Sequence, residues 1–346
     1  MKKLKHKLLR RKKSKEPEKH ERITNETVAE HRERILAGGR KFKYPVQYAR
    51  HRLVINTIIV STVALILLVA ITWWQLYPVQ NTNSFFYRLT QLLPLPVASV
   101  DGQNVEYQDY LMEYRSSIHW LERKSRGFSL NSRDGQAQSR HFKRQSLDRA
   151  IEAAYAEKLA KQRNITVTNK EIDQFVDKTL QSGSRKLSRQ SYEAVLSDSY
   201  GVSVNEYRRI VKQALLKQKV SFTIDDAAKK KIEAARAALG KGQSFDVVVG
   251  KYSDDSLTKT AKGDVGFVPQ NNQDQGLAVA ASKLKKGEIS KIIKGTDAYY
   301  IIKLTDTKAE QVRYSKIKVS LKAFKDQLNQ LKKDGKIHEY ISVPNK

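Results

Sequence analysis

The chain has 346 residues, room for two compact domains with extensions, and it carries 65 Lys and Arg against 36 Asp and Glu, a formal net charge of +29. Such an excess favours anionic surfaces: phospholipid headgroups, wall polymers or nucleic acid. No cysteine is present, which excludes a disulfide framework and thiol chemistry.

Residues 1–19 include the run KKLKHKLLRRKKSKEPEK, with too few apolar side chains to offset the entropy of ordering. This reads as a disordered tail that sets topology and binds anionic lipid, each Lys or Arg adding about 1 kcal/mol near a membrane. No aromatic interleaving accompanies the charge, so no nucleic-acid partner is expected. A short helix is expected over 23–36, with Thr24 and Thr27 at its start. Residues 53–77 then read LVINTIIVSTVALILLVAITWWQLY, without a charge. At about 1.5 Å per residue this spans a hydrocarbon core of roughly 30 Å. Trp73, Trp74 and Tyr77 cluster at one end, where amphipathic rings favour the headgroup level, and Pro78 stops the helix. Before the run stand 18 basic and 6 acidic residues; directly after it, Tyr77 to Tyr87 carry no charge. The positive-inside rule therefore places the N-terminus in the cytoplasm and everything after Pro78 outside. The apolar run and its basic leader are too long for a cleaved signal, so the segment reads as a single-pass, uncleaved anchor.

Residues 78–95 read as a linker. A hairpin turning at Asp101-Gly102 follows, leading into a helix near Gln108. The polar, basic stretch 122–146 reads as a loop. Leu147, Ile151, Ala154, Tyr155, Leu159 and Ala160 then recur at helical spacing. Thr168 with Glu171, and Ser203 with Glu206, have capping-box spacing. The helices they open present Ile172, Phe175, Val176 and Leu180, then Tyr207, Ile210, Val211 and Leu215. This order of hairpin and helices resembles the N-terminal chaperone domain of SurA-like and PrsA-like foldases.

Further on come five blocks in order: Gly242 to Phe245; Tyr252, Ser253 and Asp255; Gly263, Asp264, Val265, Gly266 and Phe267; Leu284 to Ser290; and a closing strand ending Ile301 to Leu304. Together they resemble the parvulin family of peptidyl-prolyl cis-trans isomerases. The resemblance implies Asp255 at the family's central acidic or thiol position and Tyr300 where the closing-strand histidine stands. It implies Leu277 at the aromatic proline-pocket position, Gln273 at the usual methionine, and Phe267 after the Gly-Asp-Leu-Gly motif. Asp255 reads almost as readily as a turn cap, and Phe267 reads more readily as a core residue than as part of the site. The seven histidines are residues 6, 20, 31, 51, 119, 141 and 338, so both family histidines are absent. Either Val220–Ile224 or Val312–Val319 can serve as the first parvulin strand, the latter with Lys316 where a histidine is usual.

The fold class expected is α+β: an N-terminal transmembrane helix, a SurA-like mainly helical chaperone domain, and a parvulin-like small α/β domain with an antiparallel-rich sheet and flanking helices. The expected divisions are 1–52 tail, 53–77 transmembrane helix, 78–95 linker, 96–220 chaperone domain, 221–308 parvulin-like domain and 309–346 return to the chaperone domain. Rotation about X-Pro requires neither metal nor cofactor, only an apolar slot and polar groups that favour the twisted amide. The expected function is a membrane-anchored extracytoplasmic foldase for exported proteins. Its expected partners are unfolded or partly folded polypeptides with X-Pro bonds, the lipid bilayer, and anionic lipid or cell-wall polymer. The alternatives are a holdase that binds without turnover and a structural envelope protein with a cationic surface.

Overall fold

The computed structural model describes residues 24–43, 45–125, 128–181 and 188–344, so the basic run 1–19 lies outside the described residues. The chain divides into two compact units, Met1–Ile71 and Thr72–Lys346. The first holds α1 (Asn25–Lys43) and most of α2 (Pro45–Leu76). The Thr27 hydroxyl donates to the Thr24 carbonyl at 2.8 Å and closes the first turn of α1. Within α2, the 26 residues His51–Leu76 form a stretch long and apolar enough to cross a membrane. Its Leu, Ile and Val side chains from Leu53 to Val69 are exposed. The Thr57 hydroxyl returns to the Leu53 carbonyl at 2.8 Å, which satisfies a polar group inside the helix.

The second unit opens with the end of α2, where Leu76 is fully buried. The segment 78–95 contains α3 (Ser84–Leu92), capped by the Asn83 side chain on the Phe86 amide. Next come β1 (Pro96–Val100) and β2 (Gln103–Glu106), an antiparallel hairpin. Its turn needs positive φ at two positions, met by Asp101 at 47° and Gly102 at 81°. Then follow α4 (Tyr107–Lys124), α5 (Arg133–Gln162), α6 (Asn169–Gln181), α7 (Arg189–Tyr200) and α8 (Val204–Ile224). The loop expected over 122–146 is a correction: α5 begins at Arg133, its Ser132 cap accepting from the Gly135 amide. Its polar residues fold because they have partners. Arg144 is buried and bonds Asp148 at 2.6 Å and Glu339 at 2.8 Å.

The isomerase-like part runs α9 (Asp226–Gly240), α10 (Phe245–Tyr252), α11 (Ser256–Lys259), β3 (Asp264–Pro269) and α12 (Leu277–Ala281). It continues with β4 (Ile293–Lys294), β5 (Ala298–Lys308) and β6 (Gln311–Ser320). These strands form one antiparallel sheet in the order β3-β6-β5-β4. Of the two candidates for the first parvulin strand, Val220–Ile224 is the last turn of α8, whereas 312–319 lies in β6 between β3 and β5. The chain closes with α13 (Ala323–Lys333) and β7 (Ile337–Glu339). β7 pairs with β1, and Phe324 of α13 packs against Tyr155 at 5.4 Å between ring centroids. A single apolar core therefore joins Leu76, Phe86, the hairpin, α4, α5, the end of α8 and Phe324.

Candidate functional site

Side chains alternate across a strand, so each face of the four-stranded sheet collects its own set. On one face Tyr299, Ile301, Ile317 and Val319 meet α9 and α10 through Ile232, Phe245, Val248 and Val249. On the other, Ala298, Tyr300, Ile302 and Leu304 of β5 and Val312 and Tyr314 of β6 meet Leu277, Ala278 and Ala281 of α12. The period of two carries this second face along β6 to Lys316 and Lys318. These stand opposite Ile302 and Tyr300 respectively. Tyr300 and Lys316 are thus diagonal neighbours on adjacent strands, within reach of long side chains.

Asp255 reaches the same face from the turn after α10. Its Oδ2 lies 2.8 Å from Lys316 Nζ, and the two side chains are 13% and 21% exposed. Its Oδ1 also accepts the Leu257 amide at 3.2 Å, capping α11. Ion-pair partner and turn cap are therefore one residue, because the two carboxylate oxygens serve separate partners. Burial pushes the Asp255 carboxyl up, but its bond and attraction to Lys316 outweigh this and leave it below the ordinary range. Gly263 makes the approach of the turn to β6 possible. Its φ is 86°, the Lys316 amide donates to its carbonyl at 2.8 Å, and an added Cβ would lie 2.7 Å from the Lys316 carbonyl oxygen.

Tyr300 and Leu277 are each only 3% exposed, so the tyrosine ring and the leucine fill the apolar side of this face. Burial, and then the charge of Asp297, push the Tyr300 phenol up to about 12, so it stays protonated at neutral pH. An added Cβ on Gly295 would lie 2.6 Å from the Tyr300 ring, so the backbone there is held against it. Gln273 is exposed in the loop before α12. Phe267 is 40% exposed and pairs across strands with Arg313, whose guanidinium lies 5.9 Å from its ring centre. Arg313 alternates with Val312 and Tyr314, so Phe267 sits on the face away from Tyr300. The fold brings Asp255, Tyr300 and Leu277 to one face and leaves Phe267 off it.

Several residues of this face were not among those picked out from the sequence. Asp274 accepts the Tyr314 hydroxyl at 2.7 Å and the Ala278 amide at 3.0 Å, while Gln275 accepts the Thr296 amide at 2.7 Å. These bonds stitch the loop before α12 to the sheet. An Asp four residues before a helical amide is a readable capping signal; its second bond, to Tyr314, is not. Beside β4, a groove of about 470 Å³ is lined by Ile165, Gln218, Lys219, Phe222, Thr223 and Lys294. Gln218 Nε2 donates to the Gly295 carbonyl at 2.7 Å and ties α8 to the turn below Tyr300. Among the described residues no three His, Asp or Glu side chains gather in a way that could hold a metal ion.

The face thus sets an ammonium, a carboxylate and a phenol beside apolar side chains. Residues 48–221 match the SurA-like N-terminal domain, and residues 212–306 match the PPIC-type PPIASE domain. Foldase protein PrsA of Caldanaerobacter subterraneus subsp. tengcongensis is 29% identical over 220 residues, covering 60% of this chain and 72% of that protein. Foldase protein PrsA 1 of Bacillus cereus is 37% identical over 98 residues, 28% of this chain and 33% of its own. Foldase protein PrsA of Bacillus subtilis is likewise 37% identical over 98 residues, 28% of this chain and 32% of its own. The match to the SurA-like N-terminal domain takes in half of the chain, and the chain therefore belongs to that family, with a PPIC-type PPIASE domain joined to it.

Proposed function

We propose that this protein is a membrane-anchored foldase that binds unfolded exported polypeptides outside the cell and rotates their X-Pro bonds at the face bearing Tyr300, Lys316 and Asp255. One observation carries the reading. The fold sets Tyr300 and Lys316 diagonally on adjacent strands with Asp255 2.8 Å from Lys316, and the resemblance to parvulins implies that the two take the places of the family's closing-strand and first-strand histidines. In this reading Lys316 and the protonated Tyr300 donate to the twisted amide, Asp255 holds the ammonium in place, and Leu277 borders the slot for the proline ring. The groove beside Phe222 receives the flanking client segment. The long apolar helix is the anchor, and the charge asymmetry around it places the N-terminus in the cytoplasm. The cationic surface then faces an envelope rich in anionic lipid or wall polymer.

A second reading, a holdase with little turnover, is favoured by the burial of Leu277 and Tyr300 at 3% exposure each, since the protein's own side chains then fill the slot a proline ring needs. NMR exchange spectroscopy on an X-Pro peptide with the full chain separates the two. Acceleration of cis-trans exchange that falls in Lys316→Ala supports the isomerase. Exchange at the uncatalysed rate, with undiminished binding of unfolded chains, leaves the holdase.

A further inference from the structure

The last turn of α2, from Thr72 on, belongs to the second unit and packs within it. In that turn Leu76 is fully buried, the Tyr77 hydroxyl donates to the Pro96 carbonyl at 2.7 Å, and the Tyr107 hydroxyl donates to the Leu76 carbonyl at 2.5 Å. The chain after it folds back onto the same turn. The Val79 amide bonds the Trp74 carbonyl at 3.1 Å, the Asn81 amide the Gln75 carbonyl at 2.8 Å, and the Asn81 side chain the Gln75 side chain at 2.9 Å. Three residues later α3 begins, at Ser84, so it starts beside the last turn of α2.

α3 is pinned from its inner side. Phe86 and Thr90 are buried, Tyr87 and Gln91 both bond Glu206, and Arg115 reaches the Thr82 carbonyl at 2.5 Å and the Ser84 hydroxyl at 3.0 Å. Among the described residues, those of its outer side are left exposed. Phe85 is 68%, Leu92 80% and Leu93 45% exposed, with Trp73 and Trp74 at 56% and 57% on the helix end nearby. Phe85, Arg88 and Leu92 follow the spacing of one helical face, and Arg88 is the first charged residue after Arg52. An apolar face with one long cation between its anchors, next to a pair of tryptophans, has the composition of a helix lying in the headgroup region, where Arg88 extends to a phosphate while Phe85 and Leu92 enter the acyl boundary.

We infer that α3, with Trp73 and Trp74, is an interfacial platform that seats the folded domain on the outer leaflet of the bilayer, so that the foldase works at the membrane surface. This rests on the reading of His51–Leu76 as a membrane span. The chain's lack of cysteine permits a direct test on the full protein in phosphatidylglycerol–phosphatidylcholine vesicles carrying lipids spin-labelled near the headgroup. Single variants Phe85→Cys, Leu92→Cys, Ser61→Cys in the apolar helix and Val247→Cys on exposed α10 each receive an environment-sensitive fluorophore. The expected result is a blue shift and quenching at positions 85 and 92 and no quenching at 247. Quenching at 61 by lipids spin-labelled deep in the chains, without any at 85 and 92, overturns the platform and leaves the span standing. Absence of quenching at 61 as well overturns both. Quenching at 247 equal to that at 85 shows adsorption of the whole surface and also overturns the platform.

Discussion

Asp255 joins an ion pair with Lys316 and a cap on the Leu257 amide in one carboxylate, and the two can be separated. Asp255→Asn keeps the cap on the Leu257 amide but leaves the Lys316 ammonium partly buried without its counter-charge. A loss of about 1–3 kcal/mol in urea unfolding at neutral pH is expected, together with a lower isomerisation rate. The acid dependence has a definite sign. The carboxyl lies below its ordinary value of 3.8 in the folded protein, so its contribution is whole above that value and disappears as pH falls through the lower, folded one. The stability gap between wild type and Asp255→Asn is therefore expected to shrink on acidification below pH 3.8; a constant gap in the urea midpoints would show that the ion pair contributes nothing. Tyr300→His restores one family residue at a site still lacking the other. Only partial gain in exchange rate is expected, and full recovery of a two-histidine rate would remove Lys316 from the mechanism.

Caps and pinned ends decide the helical elements. Ser203 and Glu206 form the reciprocal capping box at the start of α8, and Glu206 also accepts from Tyr87 and Gln91 of α3. Ser203→Ala removes only the cap and is expected to cost about 1 kcal/mol. Glu206→Ala removes cap and clamp together, so its cost should be larger, with faster amide exchange in α3 as well as in the first turn of α8. Equal costs, or exchange changed in α8 alone, would mean that the clamp holds nothing. Arg144 tests α5 in the same manner. At 10% side-chain exposure, with Asp148 and Glu339 as partners, its replacement by Ala leaves Glu339 of β7 unpaired. A loss near 3 kcal/mol in thermal or urea unfolding is expected, whereas a polar loop residue would have cost almost nothing.

The whole molecule makes two demands on experiment. Protease added to intact spheroplasts is expected to digest the region after Pro78 and spare residues 1–52; the reverse pattern would invert the topology. The full chain in vesicles is expected to suppress aggregation of a proline-free client at near-stoichiometric amounts if, as proposed, the groove beside Phe222 and the cationic surface hold unfolded chains. Failure at several-fold excess would remove the holding function and leave the isomerase reading alone.

Local signals were legible in the order of the residues. The chargeless run after a basic leader, the Asp101-Gly102 turn, the Thr168 and Ser203 caps and the parvulin blocks each depend on neighbours within a few positions, where propensity and hydrogen-bonding reach are fixed by the chain itself. The tertiary structure decided what depends on partners far away. VSFTI has a strand-like composition yet closes α8, because Val220 is buried in the helical core. VRYSKIKV, arriving after the closing strand, takes the slot between β3 and β5, where its period-two apolar residues fill both faces. The stretch 133–146 is helical because Arg144 finds Glu339 across 195 positions, a pairing that no local pattern announces. The candidate site followed the same division: Asp255, Tyr300 and Lys316 were each visible as residue types at positions, but their meeting on one face waited on the register of β6, since cross-strand neighbours are set by pairing and not by sequence separation.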